Sequence, residues 1–326
     1  MTKNKITRVR KGTGFAYYQR EAVVADKETI EWIKSLVIPP AWNDVVISNN
    51  HHDKVLAQGI DAAGRTQAIY HPSFRKKQDK KKYSKVLSFA SKLPALRQQI
   101  ERDLAKRDLP KEKVLACVVK LIDLAYFRVG NEEYAKENSS YGITTMRSKH
   151  VDVNSYSVTF DFMGKSGKHH VKKIADRTLS KIIKQLDEMP GYEIFRYTDE
   201  AGGLHNISSG DVNGYIKEHM GDDFTAKDFR TWGGTLLAVD VLSAAERVNN
   251  RGEREKVVTE CVKQVSERLG NTPAIAKASY IDPSVFERYL KGEDFNKVRQ
   301  TLSRMKDTKY VSEDERCALK ILEANV

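Results

Sequence analysis

Apolar side chains recur every three or four positions over Val114, Cys117, Val118, Leu121, Ile122 and Ala125. That period predicts an amphipathic helix. Counting back from Arg128 in sevens reaches Leu121 and Val114, so Arg128 falls on the same stripe, and Gly130 reads as the helix stop. The period then changes. Val151 and Val153, and after them Tyr156, Val158, Phe160 and Phe162, alternate with other residues as half-buried strands do. The turn Gly164-Lys165-Ser166-Gly167 leads into Lys168-His169-His170-Val171, the return strand of a hairpin. Helices are predicted again over residues 180–189, 211–220, 231–247 and 255–269. Thr272 is placed to cap a further helix with Pro273 at its first position, and Asp282-Pro283 opens another in the same way.

The stretch up to Pro72 is mixed. Thr29 to Leu36 predicts a short helix that ends near Ile38-Pro39-Pro40. Val45-Val46-Ile47-Ser48 and Thr66-Gln67-Ala68-Ile69-Tyr70 have strand character. The charge run from Phe74 to Tyr83 reads as a linker or a phosphate-facing segment. Together these patterns predict an α+β fold. A small sheet-containing domain occupies residues 1–82, and a larger, mainly helical domain with a small hairpin sheet occupies residues 83–326.

Composition narrows the class. Hydrophobic residues are 40% and charged residues 31% of the chain, as in a soluble globular protein, and no apolar run is long enough to span a bilayer. The first residues carry no apolar signal core, and Cys117, Cys261 and Cys317 are too scattered for a disulfide framework or a zinc spacing, so a reducing cytoplasm is expected. The net charge is +12, and it is unevenly placed. Residues 1–85 hold 17 Lys and Arg against 8 Asp and Glu, a net +9, which leaves +3 for the remaining 241 residues. Such a cluster is either a solvated basic face or the footprint of a polyanion.

Several residues could carry chemistry. Arg128, on an apolar stripe, needs a partner or must snorkel to water at the end of its helix. Lys165 stands at a hairpin tip between glycines, where it is either a soluble turn residue or a group that reaches a phosphate. Gly164-Lys165-Ser166 imitates the end of a phosphate-binding loop, but the required earlier glycine is Thr159. Arg230, in Lys227-Asp228-Phe229-Arg230-Thr231-Trp232-Gly233-Gly234, sits where a long helix is predicted to begin, which makes an anion site or an ion pair with Asp228 equally open. Tyr280 follows a run of small and polar residues, and a phenol with a usual pKa of about 10 needs neighbouring cations to act as a nucleophile. In combination the residues say more. Phosphodiester transfer calls for guanidinium groups on the non-bridging oxygens, a proton donor for the leaving oxygen, and a nucleophile that conserves bond energy in a covalent intermediate.

These segments resemble a known family. Phe127-Arg128-Val129-Gly130-Asn131-Glu132-Glu133-Tyr134 with Tyr141-Gly142-Ile143-Thr144-Thr145 is similar to the first arginine motif of type IB DNA topoisomerases, the small bacterial and poxvirus-like branch. Phe162 to Gly167 resembles the lysine hairpin, Lys227 to Gly233 the second arginine motif, and Gly270-Asn271-Thr272-Pro273 through Tyr280 the segment that ends in the nucleophile. In the amino-terminal part, Ile38 to Val45 and Gly64 to Pro72 are similar as well, so the likeness covers nearly the whole chain.

The resemblance implies relaxation of supercoiled duplex DNA by transient single-strand cleavage and religation through a 3′-phosphotyrosine, without ATP, metal or cofactor. Tyr280 would attack the phosphorus, Arg128 and Arg230 would bind its non-bridging oxygens, Lys165 would protonate the departing 5′-oxygen, and Asn271 would hydrogen-bond a phosphate oxygen. Poxvirus enzymes have histidine at the last position and bacterial relatives asparagine, which cannot become cationic, so this step should depend less on pH near neutrality. The implied fold is a C-shaped DNA clamp related to tyrosine recombinases, acting as a monomer in the cytoplasm at the nucleoid. Arg65, Gln67 and Tyr70 from the small domain and Tyr134 from the large one are expected to touch DNA. Position 68 is Ala where the poxvirus pattern has an aromatic residue, which argues against strict sequence specificity.

Other readings give different expectations. Tyrosine recombinases share the Arg, Lys, Arg and Tyr chemistry but usually carry His-x-x-Arg where this chain has Lys227-x-x-Arg230. A non-catalytic DNA-binding or architectural protein would lose nothing on Tyr280→Phe. A metal-dependent nuclease is disfavoured, because His51-His52 and His169-His170 are adjacent pairs without a carboxylate cluster, and these histidines read as facing solvent or phosphate.

Overall fold

Strand pairing organises the amino-terminal segment. β1 (Lys5–Lys11), β2 (Gly14–Gln19) and β3 (Ala22–Val23) are followed by α1 (Lys27–Ser35), then β4 (Asn43–Ser48), β5 (Val55–Ile60) and β6 (Thr66–Tyr70). They form an antiparallel sheet in the order β3-β2-β1-β4-β5-β6. Asp26 caps α1 by accepting from the Thr29 amide at 2.8 Å, and Ile33 of that helix packs with Ile6, Val45, Ile47 and Ala57 of the sheet. The predicted strands at 45–48 and 66–70 are present, whereas the sequence pattern does not mark β1, β2, β3 or β5. In β1 only Ile6 is buried, and its basic neighbours mask the alternation.

The computed structural model describes residues 5–302 and 308–323, apart from the side chains of Lys76, Asp79, Lys80, Lys81 and Tyr134. The chain forms two compact units that meet in sequence between Ser84 and Lys85. The basic run 74–83, expected to be a linker or a phosphate-facing segment, lies within α2 (Pro72–Leu104), so it is helix and not an irregular linker. Lys, Arg and Gln are good helix formers and the run contains no glycine, so local propensity favours helix.

The second unit continues with α3 (Lys111–Ala125) and α4 (Glu132–Asn138), then β7 (Val151–Val153), β8 (Val158–Gly164) and β9 (Lys168–Ile174), an antiparallel sheet in that order. Next come α5 (Arg177–Asp187), the hairpin β10 (Arg196–Thr198) and β11 (Leu204–Asn206), α6 (Ser209–Met220), α7 (Ala226–Ala244), α8 (Arg251–Leu269), α9 (Pro273–Ser279), α10 (Pro283–Leu290), α11 (Phe295–Leu302) and α12 (Glu313–Glu323). Among the described residues no helix is long and apolar enough to cross a membrane.

The helices start earlier than their apolar repeats predict, because polar capping residues lie outside those repeats. Asp176 accepts from the Leu179 amide at 2.9 Å, Ser208 from Asp211 at 3.1 Å, and Asn250 from Glu253 at 2.9 Å. Thr272 and Pro273 begin α9 as expected. α7 begins at Ala226, so Arg230 lies in its second turn and not at its amino terminus. Nor does Arg128 belong to α3. Tyr126 adopts the left-handed region (φ 55°) and ends that helix, so neither the stripe assignment of Arg128 nor the stop at Gly130 holds.

Candidate active site

Breaking α3 at Tyr126 turns the chain so that Phe127 points into the core and Arg128 does not. Phe127 meets Phe160 edge-on at 5.0 Å and Phe162 at 5.9 Å, which fastens this segment to β8. The Arg128 carbonyl accepts from the Ile143 amide at 2.8 Å, so its backbone is held on a second side. On α7, Phe229 packs edge-on to Phe89 of α2 at 4.9 Å, and the next residue, Arg230, is 4% exposed.

α8 ends at Gly270, whose left-handed backbone (φ 65°) directs the chain onward to Asn271. The first and last turns of a helix leave backbone groups without internal partners, and the carboxyl end carries partial negative charge. Here consecutive carbonyls at that end receive cations. Arg268 O accepts from Lys172 at 3.5 Å, Leu269 O from Arg230 at 2.9 Å, Gly270 O from Arg128 at 3.2 Å, and Asn271 O from Lys168 at 3.1 Å. Arg128 also donates to the Asn271 side-chain oxygen. Arg230 makes a second bond, to the Tyr126 carbonyl at 2.5 Å.

Tyr280 closes the cluster. It caps α9, donating its amide to Ala276 O at 3.0 Å, and its carbonyl accepts from the Thr235 hydroxyl at 3.4 Å. The Arg230 guanidinium lies 4.9 Å from the centre of the Tyr280 ring. Gly234, one helical turn beyond Arg230, allows this approach: a Cβ there would stand 2.5 Å from the Tyr280 carbonyl oxygen. Thus Arg128, Arg230, Asn271 and Tyr280, distant in sequence, share one site. Two buried donors in it, Arg230 Nε and Asn271 Nδ2, have no hydrogen-bond partner among the described residues.

Electrostatics follow from crowding positive charge in a poorly hydrated place. Burial, with Arg230 adding repulsion, pushes Arg128 down to about 10. Burial likewise lowers Arg230. The Tyr280 phenol would be raised by burial, but the charges of Arg230, Arg128 and Lys227 outweigh that effect and hold it below its ordinary value. Such a phenol ionises more readily, and the unsatisfied donors suit an oxyanion or a phosphate oxygen.

Lys165 is not drawn into this cluster. It stands exposed at the tip of the β8–β9 hairpin, in the tight turn the sequence predicts. The return strand contributes what the sequence reading missed. Lys168, His170 and Lys172 follow its two-residue period, a signal that was available once Lys165 had been singled out. His170 corrects an expectation: it is buried between Gly164 and Gly270 and stacks on Phe162 at 5.2 Å, so it does not face solvent. Burial and the neighbouring Lys172, Arg128, Lys168 and Arg230 push it down to about 4. His169 is exposed and pairs with Asp161 at 2.6 Å, and His51 stacks on Trp32 at 4.0 Å. Lys227, one turn before Arg230 on α7, also acts on Tyr280 through its charge. Among the described residues no group of His, Cys, Asp or Glu is arranged to hold a metal ion.

In the amino-terminal unit, Arg65 pairs with Asp61 at 2.8 Å and Gln67 donates to the same carboxylate at 2.9 Å. Tyr70 is exposed beside Phe74, with ring centres 5.5 Å apart. Tyr134 lies on α4, and its side chain falls outside the described residues.

Comparison with known proteins identifies the family. A family model described as eukaryotic DNA topoisomerase I, catalytic core, matches residues 71–309, and one described as bacterial DNA topoisomerase IB, N-terminal domain, matches residues 14–61. The DNA topoisomerase 1B of Acanthamoeba polyphaga mimivirus is 32% identical over 299 residues, covering 89% of each chain. The DNA topoisomerase 1B of Vaccinia virus (strain Copenhagen) is 22% identical over 280 residues, 83% of this chain and 84% of its own. The DNA topoisomerase I of Monkeypox virus is 22% identical over 277 residues, with the same coverage. With a catalytic-core model matched over most of its length and a relative above 30% identity along nearly all of it, the chain belongs to the type IB DNA topoisomerases, enzymes of the isomerase class.

Proposed function

We propose that the chain relaxes supercoiled duplex DNA by nicking one strand through a 3′-phosphotyrosine at Tyr280, letting the duplex rotate, and resealing it without ATP or metal. The observation that supports this most is the meeting of Tyr280 with Arg128, Arg230 and Asn271 around two buried donors that lack protein partners. In the reaction the Tyr280 oxygen forms a bond to phosphorus as the bond to the 5′-oxygen breaks. The phenol loses its proton to solvent water, and the departing oxygen takes one from Lys165, which reaches it from the hairpin tip when DNA is bound. Arg128, Arg230 and Asn271 hold the non-bridging oxygens, whose charge grows in the transition state. Religation reverses these steps, and the phosphotyrosine conserves the bond energy.

On this reading residues 1–82 and 83–326 close on opposite sides of the duplex as a C-shaped clamp, related in plan to the tyrosine recombinases. The clamp works as a monomer on cytoplasmic, nucleoid DNA. Phosphate contacts supply most of its affinity, with Arg65, Gln67, Tyr70 and Tyr134 among the groups that touch DNA. The Arg65 and Gln67 bonds to Asp61 would present both side chains from one turn.

The test is plasmid relaxation in EDTA without ATP, with Tyr280→Phe alongside. The wild type should relax the plasmid and form a covalent DNA adduct, and the variant should do neither. A metal or ATP requirement, or an active Tyr280→Phe, would overturn the mechanism.

A further inference from the structure

Lys172 repeats the bonding of Arg230 one step back along both helices. Arg230 joins the Tyr126 carbonyl to the Leu269 carbonyl, and Lys172 joins the Ala125 carbonyl, at 2.7 Å, to the Arg268 carbonyl, at 3.5 Å. Both cations therefore tie the carboxyl end of α3 to the carboxyl end of α8. Arg128 extends from the first of those ends, and Asn271 from the second. The Lys172 ammonium also lies 5.5 Å from the centre of the Phe127 ring, the residue that anchors Arg128 to β8.

We propose that Lys172 is a positioning residue for strand cleavage, stapling the two helix ends so that Arg128 and Asn271 face the phosphate held by Arg230. Both of its hydrogen bonds go to backbone carbonyls at the helix ends, so it acts on the site through them. This inference rests on the topoisomerase reading above and adds a group to it.

The charges around Lys172 make its grip depend on pH. Arg230 on α7, Arg268 on α8 and Arg128 all repel it, and His170 and Lys168 stand beside it on β9. On its open side a cleft of about 410 Å³ is lined by Lys168, His169, Lys173, Glu267 and Arg268, with Glu267 the carboxylate in that wall. Burial and the three arginines push Lys172 down to about 8. The staple is charged below that pH and becomes a weaker, neutral donor above it.

Single-turnover cleavage of a duplex that cannot religate tests this with Lys172→Met and Lys172→Arg. Methionine fills similar volume without the charge, and displacement of a reacting group by about 1 Å costs on the order of 100-fold in rate. Lys172→Met should bind the duplex with wild-type affinity but cleave about 10- to 100-fold more slowly. Replacing the leaving 5′-oxygen by sulfur, which departs without needing a proton, should not restore the rate, since no proton donor has been lost. Lys172→Arg should recover most of it, and should lack the decline above about pH 8 expected of the wild type. If Lys172→Met fails to fold, the arginine variant still decides. An unchanged decline near pH 8 in Lys172→Arg would overturn the proposal. So would wild-type cleavage by Lys172→Met, or its full rescue by the sulfur substrate. Wild-type activity with an inactive Tyr280→Phe in the same assay would keep the topoisomerase reading intact while this inference fell.

Discussion

Gly234→Ala places a single methyl group between the helix that carries Arg230 and the backbone of Tyr280. The new Cβ would sit 2.5 Å from the Tyr280 carbonyl oxygen and 2.9 Å from its Cβ. Ordinary contact begins at 3.4 Å, so closing the gap between 2.5 and 3.4 Å requires a retreat of about 0.9 Å. α7 is buried on this face and cannot give way, whereas Tyr280 caps a helix of seven residues, α9, and is the part that moves. The move also loosens the bonds that Thr235 makes to the Tyr280 carbonyl and, at 3.0 Å, to the Asp282 amide. A nucleophile misplaced by about 1 Å loses roughly 100-fold in rate.

Stability should change far less. Overpacking costs about 1–3 kcal/mol, and alanine in a helix interior returns about 1 kcal/mol relative to glycine. The net is roughly 0–2 kcal/mol, a fall in Tm of less than about 8 °C for a unit of this size. Single-turnover cleavage, thermal melting and duplex affinity should therefore separate, with only the first strongly affected. Cleavage by Gly234→Ala at the wild-type rate would refute the claim that Tyr280 must stand against α7.

Two further outcomes are expected. Lys165→Ala, at an exposed hairpin tip, should melt as the wild type does and cleave slowly, and a 5′-sulfur leaving group should restore its rate; failure of that rescue would remove Lys165 as the proton donor. His170→Phe should alter the pH dependence of stability. Because His170 is lowered to about 4 from 6.5, the unfolded chain binds more protons between those values, so its contribution is complete above about pH 6.5 and is lost as pH falls toward 4. Phenylalanine keeps the ring between Gly164 and Gly270, so melting measured from pH 7 to 4.5 should decline less in the variant than in the wild type, and equal declines would count against the buried neutral histidine.

Much of this was legible in the chain, for identifiable reasons. The hairpin bearing Lys165 announced itself through alternation and two glycines, and Thr272-Pro273 marked the start of α9 through its cap. Arg128 was misplaced because helical spacing continues past Ala125 in the sequence, while a left-handed Tyr126 ends the helix in space. No pattern marks tyrosine for that conformation; packing imposes it, with the Tyr126 ring lying against Gly233. Arg230 was assigned to a helix amino terminus because the apolar repeat begins late, and the Thr225 cap lies outside it. His170 reads as a surface group because adjacent histidines look alike in sequence, although strand geometry sends them to opposite faces.

The arrangement of cations answers a problem that phosphate chemistry poses. On the proposed reading Arg128 and Arg230 must be held rigidly, yet a carboxylate holding them would cancel the charge they offer a phosphate; Lys168 and Lys172 stand beside them and are held in the same way. Among the described residues none of these side chains forms an ion pair with Asp or Glu, and backbone carbonyls at the ends of α3 and α8 hold them instead. A helix carboxyl end presents only about half an elementary charge, so it orients several cations without neutralising them. Burial is the largest cause of the lowered values of Arg128, Lys172 and His170, and repulsion among the cations adds to it. An approaching phosphate relieves that repulsion, and relieves it most when its oxygens carry the extra charge of the transition state. On the proposed reading, release of that repulsion would favour the cleavage step over substrate binding.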